Sequence, residues 1–461
     1  MKNFLLTLFL ALSLSLRLSA GEVATPFKDG DRWCVLGDSI THGGSYHKEV
    51  ELFYVTRFPE KSLEVINCGI SGDTARGALK RLGWDCLDHK PSVVSVMLGM
   101  NDVGRSLYDT TNAPGAELDA KRTMVVETYR TNMAGLTSRI TNSGARLILI
   151  TPSIFDDTGE LKATNKPGCA AALTRCAHEV ESLAVQRGAS VVDFNGPMTE
   201  ITAAIQKTNP SATIIGPDRV HPGSVGHFIM AYEVLKAQKP HGEVSMIGVD
   251  AVTGKPAGCE GCEVTEIKAS SNELSFICLE KALPYPVTDA IRPALQLVPF
   301  MNEFNREILK VTGLKPGSYD LSIDEFPVRA YTADELAGGV NLASEQTPQV
   351  KQALGIQEIL KRKWNAAGKL RSIAAFEYRV WPDAPHSGTS EEQESMKLKI
   401  QAYLGKAADT NSVAKGQEYN DLKIGEAGLK KAVVDVGTQA HVAAKPIPHH
   451  FIIKKTLSQA P

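Results

Sequence analysis

Between Trp33 and about Pro240, short apolar runs alternate with longer stretches in which apolar residues recur every three or four positions. The runs WCVLG, LEVINC, VVSVML, RLILIT and SVVDF have the length and β-branched content of strands, and their mostly apolar character suits strands covered on both faces. Between the third and fourth runs, Met124, Tyr129, Met133, Leu136 and Ile140 fall at near-helical spacing, and Gly144 supplies a stop. Gly223 and Ser224 lead into GHFIMAYEVLKAQ, a last helix closed by Pro240. This alternation predicts a parallel sheet with crossover helices, a three-layer α/β/α arrangement.

Beyond Pro240 the period changes. VSMIGVDAV, VTEIKAS and ELSFICL are β-prone runs separated by turn residues, which predicts a second, β-rich unit. Within it GLKPGSYDLSID sets Leu314, Pro316 and Tyr319 at the spacing of a tyrosine corner, and a plain Pro-Gly turn between two strands fits the same residues. Residues 349–380 and 390–406 read as helices, and the remaining Gly-, Ala- and Lys-rich stretches as irregular. A chain of 461 residues exceeds what one core organises, and the expected division is 1–20, 21–240, 241–332 and 333–461, the last a helical and irregular extension.

Residues 1–20 stand apart. Lys2 precedes FLLTLFLALSLSL, which meets Arg17 and the small residues Ser19 and Ala20. The run is shorter than the ~20 apolar residues of a membrane span and has the layout of a secretory signal. Cleavage is expected near Ala20, with a secreted or periplasmic product and no transmembrane segment in the mature chain. Export would make the eight cysteines possible disulfide partners. Cys169 and Cys176 lie in one predicted helix, roughly 10 Å apart by helical rise and too far to bond each other. Cys259 and Cys262 form a CxxC with no second pair and no finger-spaced histidine, which favours a local disulfide or free thiols over zinc. With 50 Lys and Arg against 52 Asp and Glu, the net charge is −2, and no nucleic-acid partner is expected.

The chemistry concentrates at the ends of the predicted strands. VLGDSITHGG runs from a strand straight into Gly37, Asp38 and Ser39, and a turn at the carboxyl end of a parallel strand faces the ligand crevice. Gly-Asp-Ser by itself is a common turn. The second strand is followed by NCGISGDT, with Gly72 in a tight turn whose N–H can point outward, and the third by LGMND, with Asn101 similarly placed. DRVHP sets Asp218 three residues before His221, ahead of the final helix. Singly, Asn101 could cap a helix, Gly72 could make a turn, and His221 could sit in a surface loop. Their joint occurrence in order, with Ser39 in place, carries the information. His42, His47, His89, His178 and His227 are isolated and receive no role, and no spacing supports a metal site.

These four blocks resemble those of the SGNH hydrolases, the GDSL esterase and lipase family, over roughly residues 30–240. The resemblance implies a flavodoxin-like fold for this unit, Ser39 as nucleophile, and His221 with Asp218 as the proton-handling pair. It also implies Ser39, Gly72 and Asn101 as oxyanion-hole donors, and no cofactor. Ile40 stands where the family name has Leu, a volume-conserving exchange. The chemistry is coherent on its own terms. A serine hydroxyl needs a neighbouring base at neutral pH, imidazole suits that task, and a carboxylate can fix its tautomer while N–H donors meet the oxyanion.

The segments SITHGGSYHKEVE and VGRSLYDTTNAPGAELDAKR are polar and small, a poor lining for a fatty acyl chain. The expected activity is hydrolysis of short, acetyl esters on a glycan by an exported serine esterase. A lipase, lysophospholipase or thioesterase of the same family is the alternative. A non-catalytic carbohydrate-binding protein on a hydrolase core is the alternative of another class, and the intact Ser, Gly, Asn, Asp and His set argues against it.

Overall fold

The computed structural model describes residues 24–406 and 410–456; the predicted signal segment 1–20 lies outside them. The first unit is built on β1 (Asp31–Gly37), β2 (Leu63–Gly69), β3 (Val93–Met97), β4 (Arg146–Ile150) and β5 (Ser190–Val192). All pair in parallel in the order β2-β1-β3-β4-β5, the flavodoxin-like order. Each expected apolar run is one of these strands, with β3 buried at every residue.

The connecting helices are α1 (Ser39–His42), α2 (Tyr46–Arg57), α3 (Ala75–Asp85), α4 (Ala116–Asn142), α5 (Cys169–Arg187), α6 (Asn195–Gln206) and α7 (Ser224–Gln238). The helices α3, α4 and α5 pack side by side, and α2 packs against α7, which gives the two outer layers. Gly144, in the left-handed region at φ 84°, ends α4 as expected. Met124 departs from its expected place in the buried stripe. It is 61% exposed, because α4 has no buried residue before Val126.

The second unit contains β6 (Glu243–Asp250), β7 (Lys255–Pro256), β8 (Cys262–Ala269), β9 (Glu273–Glu280), α8 (Phe300–Phe304), β10 (Arg306–Thr312), β11 (Ser318–Ile323), β12 (Phe326–Thr332), α9 (Ala333–Gly338) and β13 (Val340–Asn341). The helices α10 (Pro348–Val380), α11 (Ser390–Lys406), α12 (Thr410–Ile424) and α13 (Glu426–Ala443) follow, then a final strand β14 (His449–Lys455). Two sheets, β13-β10-β6-β7 and β12-β11-β14-β9-β8, share one core and form a sandwich. Ile247, Val249 and Leu309 from the first meet Phe276, Leu321 and Phe451 from the second. Tyr319 is buried and donates its hydroxyl to the Lys315 carbonyl at 2.8 Å, so GLKPGSYDLSID forms the tyrosine corner.

The extension was expected to end as irregular chain. Instead β14 lies between β9 and β11, inside the second sheet. Nor do the cores follow chain order. Leu283, Tyr285 and Phe300 from the β-rich stretch, and Ile356, Leu360 and Ala440 from the extension, belong to the core of the first unit. All eight cysteines are free thiols, which corrects the expectation of disulfide partners and, of the two alternatives for Cys259 and Cys262, leaves the free thiols. Six are buried as small apolar side chains, and Cys259 and Cys262 donate to the carbonyls of Gly248 and Met246 at 3.2 Å each. Among the described residues no helix is long and apolar enough to cross a membrane.

The long helix α10 spans 33 residues, about 50 Å by helical rise. It packs against α2, the edge strand β2, α12 and α13. Its polar contacts to the first unit are buried: Lys363 pairs with Glu51, at 7% and 2% side-chain exposure, and Trp364 Nε1 donates to Glu51 at 2.6 Å. A buried ammonium left without its carboxylate is strongly destabilising. Glu51→Ala is therefore expected to lower the unfolding free energy by about 3–5 kcal/mol in urea titrations. Adding Lys363→Met should recover most of that loss, whereas an equal loss in the single and double variants would show that the interface does not depend on this pair.

Candidate active site

The turn after β1 is tight. A Cβ at Gly37 would lie 2.2 Å from Thr41 Oγ1, so only glycine lets α1 begin at once. Asp38 caps α1, its Oδ1 accepting the Ile40 N–H at 3.0 Å, and Ser39 is the first residue of that helix. From β2, Asn67 Nδ2 donates to the carbonyls of Thr41 and His42 at 3.0 and 2.9 Å, closing the other end of the turn.

Ser39 Oγ lies 2.8 Å from His221 Nε2, and His221 Nδ1 lies 2.5 Å from Asp218 Oδ2. Asp218 Oδ1 accepts the N–H groups of Val220 and His221 at 3.1 and 3.0 Å. Partial burial pushes the Asp218 carboxyl up, but the bonds from the His221 ring and backbone outweigh it and hold the group below its ordinary range. The side chains of His221 and Asp218 are 48% and 51% exposed, so this pair faces solvent. Their loop is anchored by Arg219, which has a left-handed φ of 68°. Its buried guanidinium donates to the carbonyls of Asp156, Gly159, Leu161 and Ala163 at 2.8–3.1 Å.

Gly72 sits in a turn at φ 82° with open space where a Cβ would be. Arg105 donates to Asn101 Oδ1 at 3.1 Å and to the Met100 carbonyl at 2.9 Å, which fixes the orientation of the amide. One Asn101 N–H then reaches the Asp73 carbonyl at 2.8 Å, and the second remains for a ligand. Asp102 Oδ1 accepts the Ala75 N–H at 2.8 Å, so the loops after β2 and β3 are latched to each other. The strand order sets Gly72, Ser39 and Asn101 beyond the carboxyl ends of three adjacent strands. There the connections from β1 and β3 diverge to opposite faces and open a crevice.

Three of the five residues expected from the sequence are thus in direct contact, and the other two lie on the loops after the neighbouring strands. Ser39, His221 and Asp218 form one hydrogen-bonded chain, and Gly72 and Asn101 stand on the flanking loops. Such a chain can move the serine proton to an imidazole whose other nitrogen is held by a carboxylate. Sequence reasoning missed Arg105, Arg219, the buried Asp38, and His42, whose Nδ1 accepts the Ser71 N–H at 3.2 Å. Arg219 lies inside the DRVHP block and Arg105 four residues after Asn101, but a guanidinium bonded to carbonyls has no sequence signature. Among the described residues one cluster has metal-ligand spacing, the buried sulfurs of Cys34, Cys68 and Cys86, all within 4.8 Å of one another. None of them joins the serine, histidine or amide.

Residues 35–229 match the family model of the GDSL-like lipase/acylhydrolases. This part of the chain belongs to that family, the SGNH hydrolases, and the protein is an ester-hydrolysing enzyme. It is 26% identical over 224 residues to an acetylxylan esterase of Geobacillus stearothermophilus, covering 45% of this chain and 93% of that protein. It is 32% identical over 100 residues to the uncharacterized lipoprotein YqeF of Bacillus subtilis (strain 168), covering 20% of this chain and 40% of that one. Among solved structures, a gut microbial diltiazem-metabolizing enzyme is similar at 29% identity with a TM-score of 0.86, over 94% of this chain and 100% of that chain. That similarity takes in the sandwich and the helical extension as well as the hydrolase unit.

Asp38 offers a test of the site's electrostatics. Burial pushes its carboxyl up to about 6, and the Ile40 N–H and the charge of His221 offset this only in part. Between its unfolded value of 3.8 and about 6, the folded protein holds a proton that the unfolded chain has released, so stability falls as pH rises through that window. Asparagine keeps the cap and removes the ionisation. Relative to the native protein, Asp38→Asn is expected to gain about 2–3 kcal/mol on going from about pH 3.5 to 7.5, read from urea unfolding across the range. A stability difference that does not change with pH would contradict this.

Proposed function

We propose that the enzyme hydrolyses acetyl esters carried on carbohydrate, through an acyl-enzyme formed on Ser39, and that it acts outside the cytoplasm. The observation that carries this reading is the chain of hydrogen bonds from Ser39 through His221 to Asp218. As Ser39 Oγ attacks the acyl carbon, His221 Nε2 takes its proton, while Asp218 holds the Nδ1–H tautomer and stabilises the imidazolium. The oxyanion is met by the N–H groups of Ser39 and Gly72 and by the free N–H of the Asn101 amide. His221 then protonates the leaving alcohol, and a water deprotonated by the same ring releases acetate.

Several features favour a short acyl group on a sugar. The loops around the serine are polar, and an acyl channel would need an apolar lining, since each buried methylene contributes about 0.8 kcal/mol. The half-exposed His221 and Asp218 suit a bulky alcohol. The acetylxylan esterase relative is an enzyme of this substrate class. The signal-like layout of residues 1–20 supports export.

Ser39→Ala is expected to lower kcat by about 10⁴-fold or more with folding intact, and His221→Ala by nearly as much. The double variant should be little worse than either, since the groups act as a unit. Asn101→Ala is expected to cost about 10²–10³ in kcat. A fluorophosphonate should label Ser39, and kcat/KM for p-nitrophenyl esters should fall from acetate to octanoate. Labelling elsewhere would overturn the nucleophile, and a profile rising toward long chains would favour a lipase.

A further inference from the structure

Between the hydrolase unit and the C-terminal helices lies a cavity of about 250 Å³ that neither encloses alone. The hydrolase unit supplies His42 and Ser71, and the helices α10 and α12 supply the opposite wall, including Arg379, Lys415 and Glu418. It touches the hydrolase unit at two residues that lie close along the chain to Gly72 and Ser39. Ser71 immediately precedes Gly72, and His42 ends the helix that Ser39 begins, roughly 5 Å away by one helical turn. The cavity wall is therefore continuous with the segments that carry Gly72 and Ser39.

The cavity's chemistry is biased toward donors. His42 Nδ1 accepts the Ser71 N–H, so the ring proton sits on Nε2. Burial, reinforced by the guanidinium groups of Arg371, Arg81 and Arg379, pushes His42 down to about 4, so the ring is a neutral donor at neutral pH. Arg379 and Lys415 are exposed and, among the described residues, belong to no ion pair. The nearby Glu377 does not neutralise them, because it is taken by Lys423 and by the Tyr419 hydroxyl, each at 2.8 Å. Glu418 is the one carboxylate in the lining. Phe376 and Tyr419, stacked at 4.8 Å, give the cavity an apolar floor suited to the C–H face of a ring. The volume falls below the roughly 300–1,000 Å³ usual for drug-sized ligands and suits one small ring.

We propose that this cavity is a subsite for a sugar bearing an anionic group, carboxylate or sulfate, recognised by Arg379, Lys415 and His42 between the hydrolase loop and the C-terminal helices. The inference rests on the carbohydrate-esterase reading and gives it a substrate class: acetylated acidic glycans. Arg379 and Lys415 select the alcohol portion and take no part in bond breaking. Their charge is felt through charge-assisted hydrogen bonds, which are stronger than neutral ones.

The test uses the full-length protein and two kinds of measurement. Binding of methyl glucuronoside, glucose 6-sulfate and neutral methyl glucoside is followed by titration, with no ester present. At least one anionic sugar is expected to bind about tenfold or more tighter than the neutral one. The Arg379→Gln/Lys415→Gln double variant should erase that preference, and Glu418→Gln, which removes the opposing charge, should increase it. In kinetics, the ratio of kcat/KM for acetylated methyl glucuronoside over acetylated methyl glucoside should fall toward one in the double variant. Equal binding of all three sugars by the native protein, or a preference that survives the double variant, would overturn the subsite. Failure of the esterase reading looks different: neither acetylated sugar would be hydrolysed, while the binding titrations would still decide the subsite.

Discussion

The side chain of Arg81 has no exposure to solvent, and the segments that make the crevice converge on its guanidinium. Nε donates to Asp73 at 2.7 Å, Nη1 to the Cys68 carbonyl at 2.7 Å and to Asp85, and Nη2 to the Gly37 carbonyl at 3.1 Å. Gly37 is the last residue of β1 before Asp38 and Ser39, Cys68 lies in β2, and Asp73 follows Gly72. A planar group with donors in fixed directions thus sets the loop of the serine and the loop of Gly72 relative to one another. Burial opposes the charge of Arg81, and the carboxylates of Asp85 and Asp73 more than restore it. Arg371 of α10 donates to the other oxygen of Asp85 at 2.7 Å. Two guanidinium groups and two carboxylates therefore alternate from the crevice to the extension, the pairing that buried charges require.

That network links the C-terminal helices to a site that lies in the first unit. Near its start α10 contacts the sandwich, where Gln349 Nε2 donates to Glu280 at 3.0 Å. Midway it holds α2 through Lys363 and Trp364, and farther on it reaches Asp85 and the Asn67 carbonyl. Asn67 in turn bonds the carbonyls that close α1. One rigid helix therefore touches the sandwich, the hydrolase core and the strand beside the serine turn. The similarity to the diltiazem-metabolizing enzyme over nearly the whole chain is consistent with this arrangement being one architecture.

Much of the hydrolase unit was legible in the sequence. The five strands are runs whose burial on both faces requires local apolar continuity, and that is visible residue by residue. The blocks around Ser39, Gly72, Asn101 and His221 were legible because strand-end turns need glycine and small polar residues at set positions. What escaped was non-local. HHFIIKK looks like an ordinary tail segment, yet β14 pairs with β9 and β11, strands far earlier in the chain. The cysteine state escaped as well, since pairing depends on distances between Cβ atoms that spacing along the chain does not contain.

The sequence by itself determined the period of each element, the order of the four blocks that resemble the family's and the chemistry their side chains can perform, because these depend on neighbours a few residues away. Only the tertiary structure decided that His221 Nε2 meets Ser39 Oγ across 182 positions of chain, and that Arg105 holds the oxygen of the Asn101 amide. It also decided that α10 and α12 wall a cavity with His42 and Ser71 of the hydrolase unit. The physical reason is the reach of the forces involved. Backbone geometry and side-chain period act within a turn of helix or a pair of strands. A hydrogen bond or buried ion pair exists only when folding brings two distant groups within about 3 Å, with a hydrophobic core to hold them there.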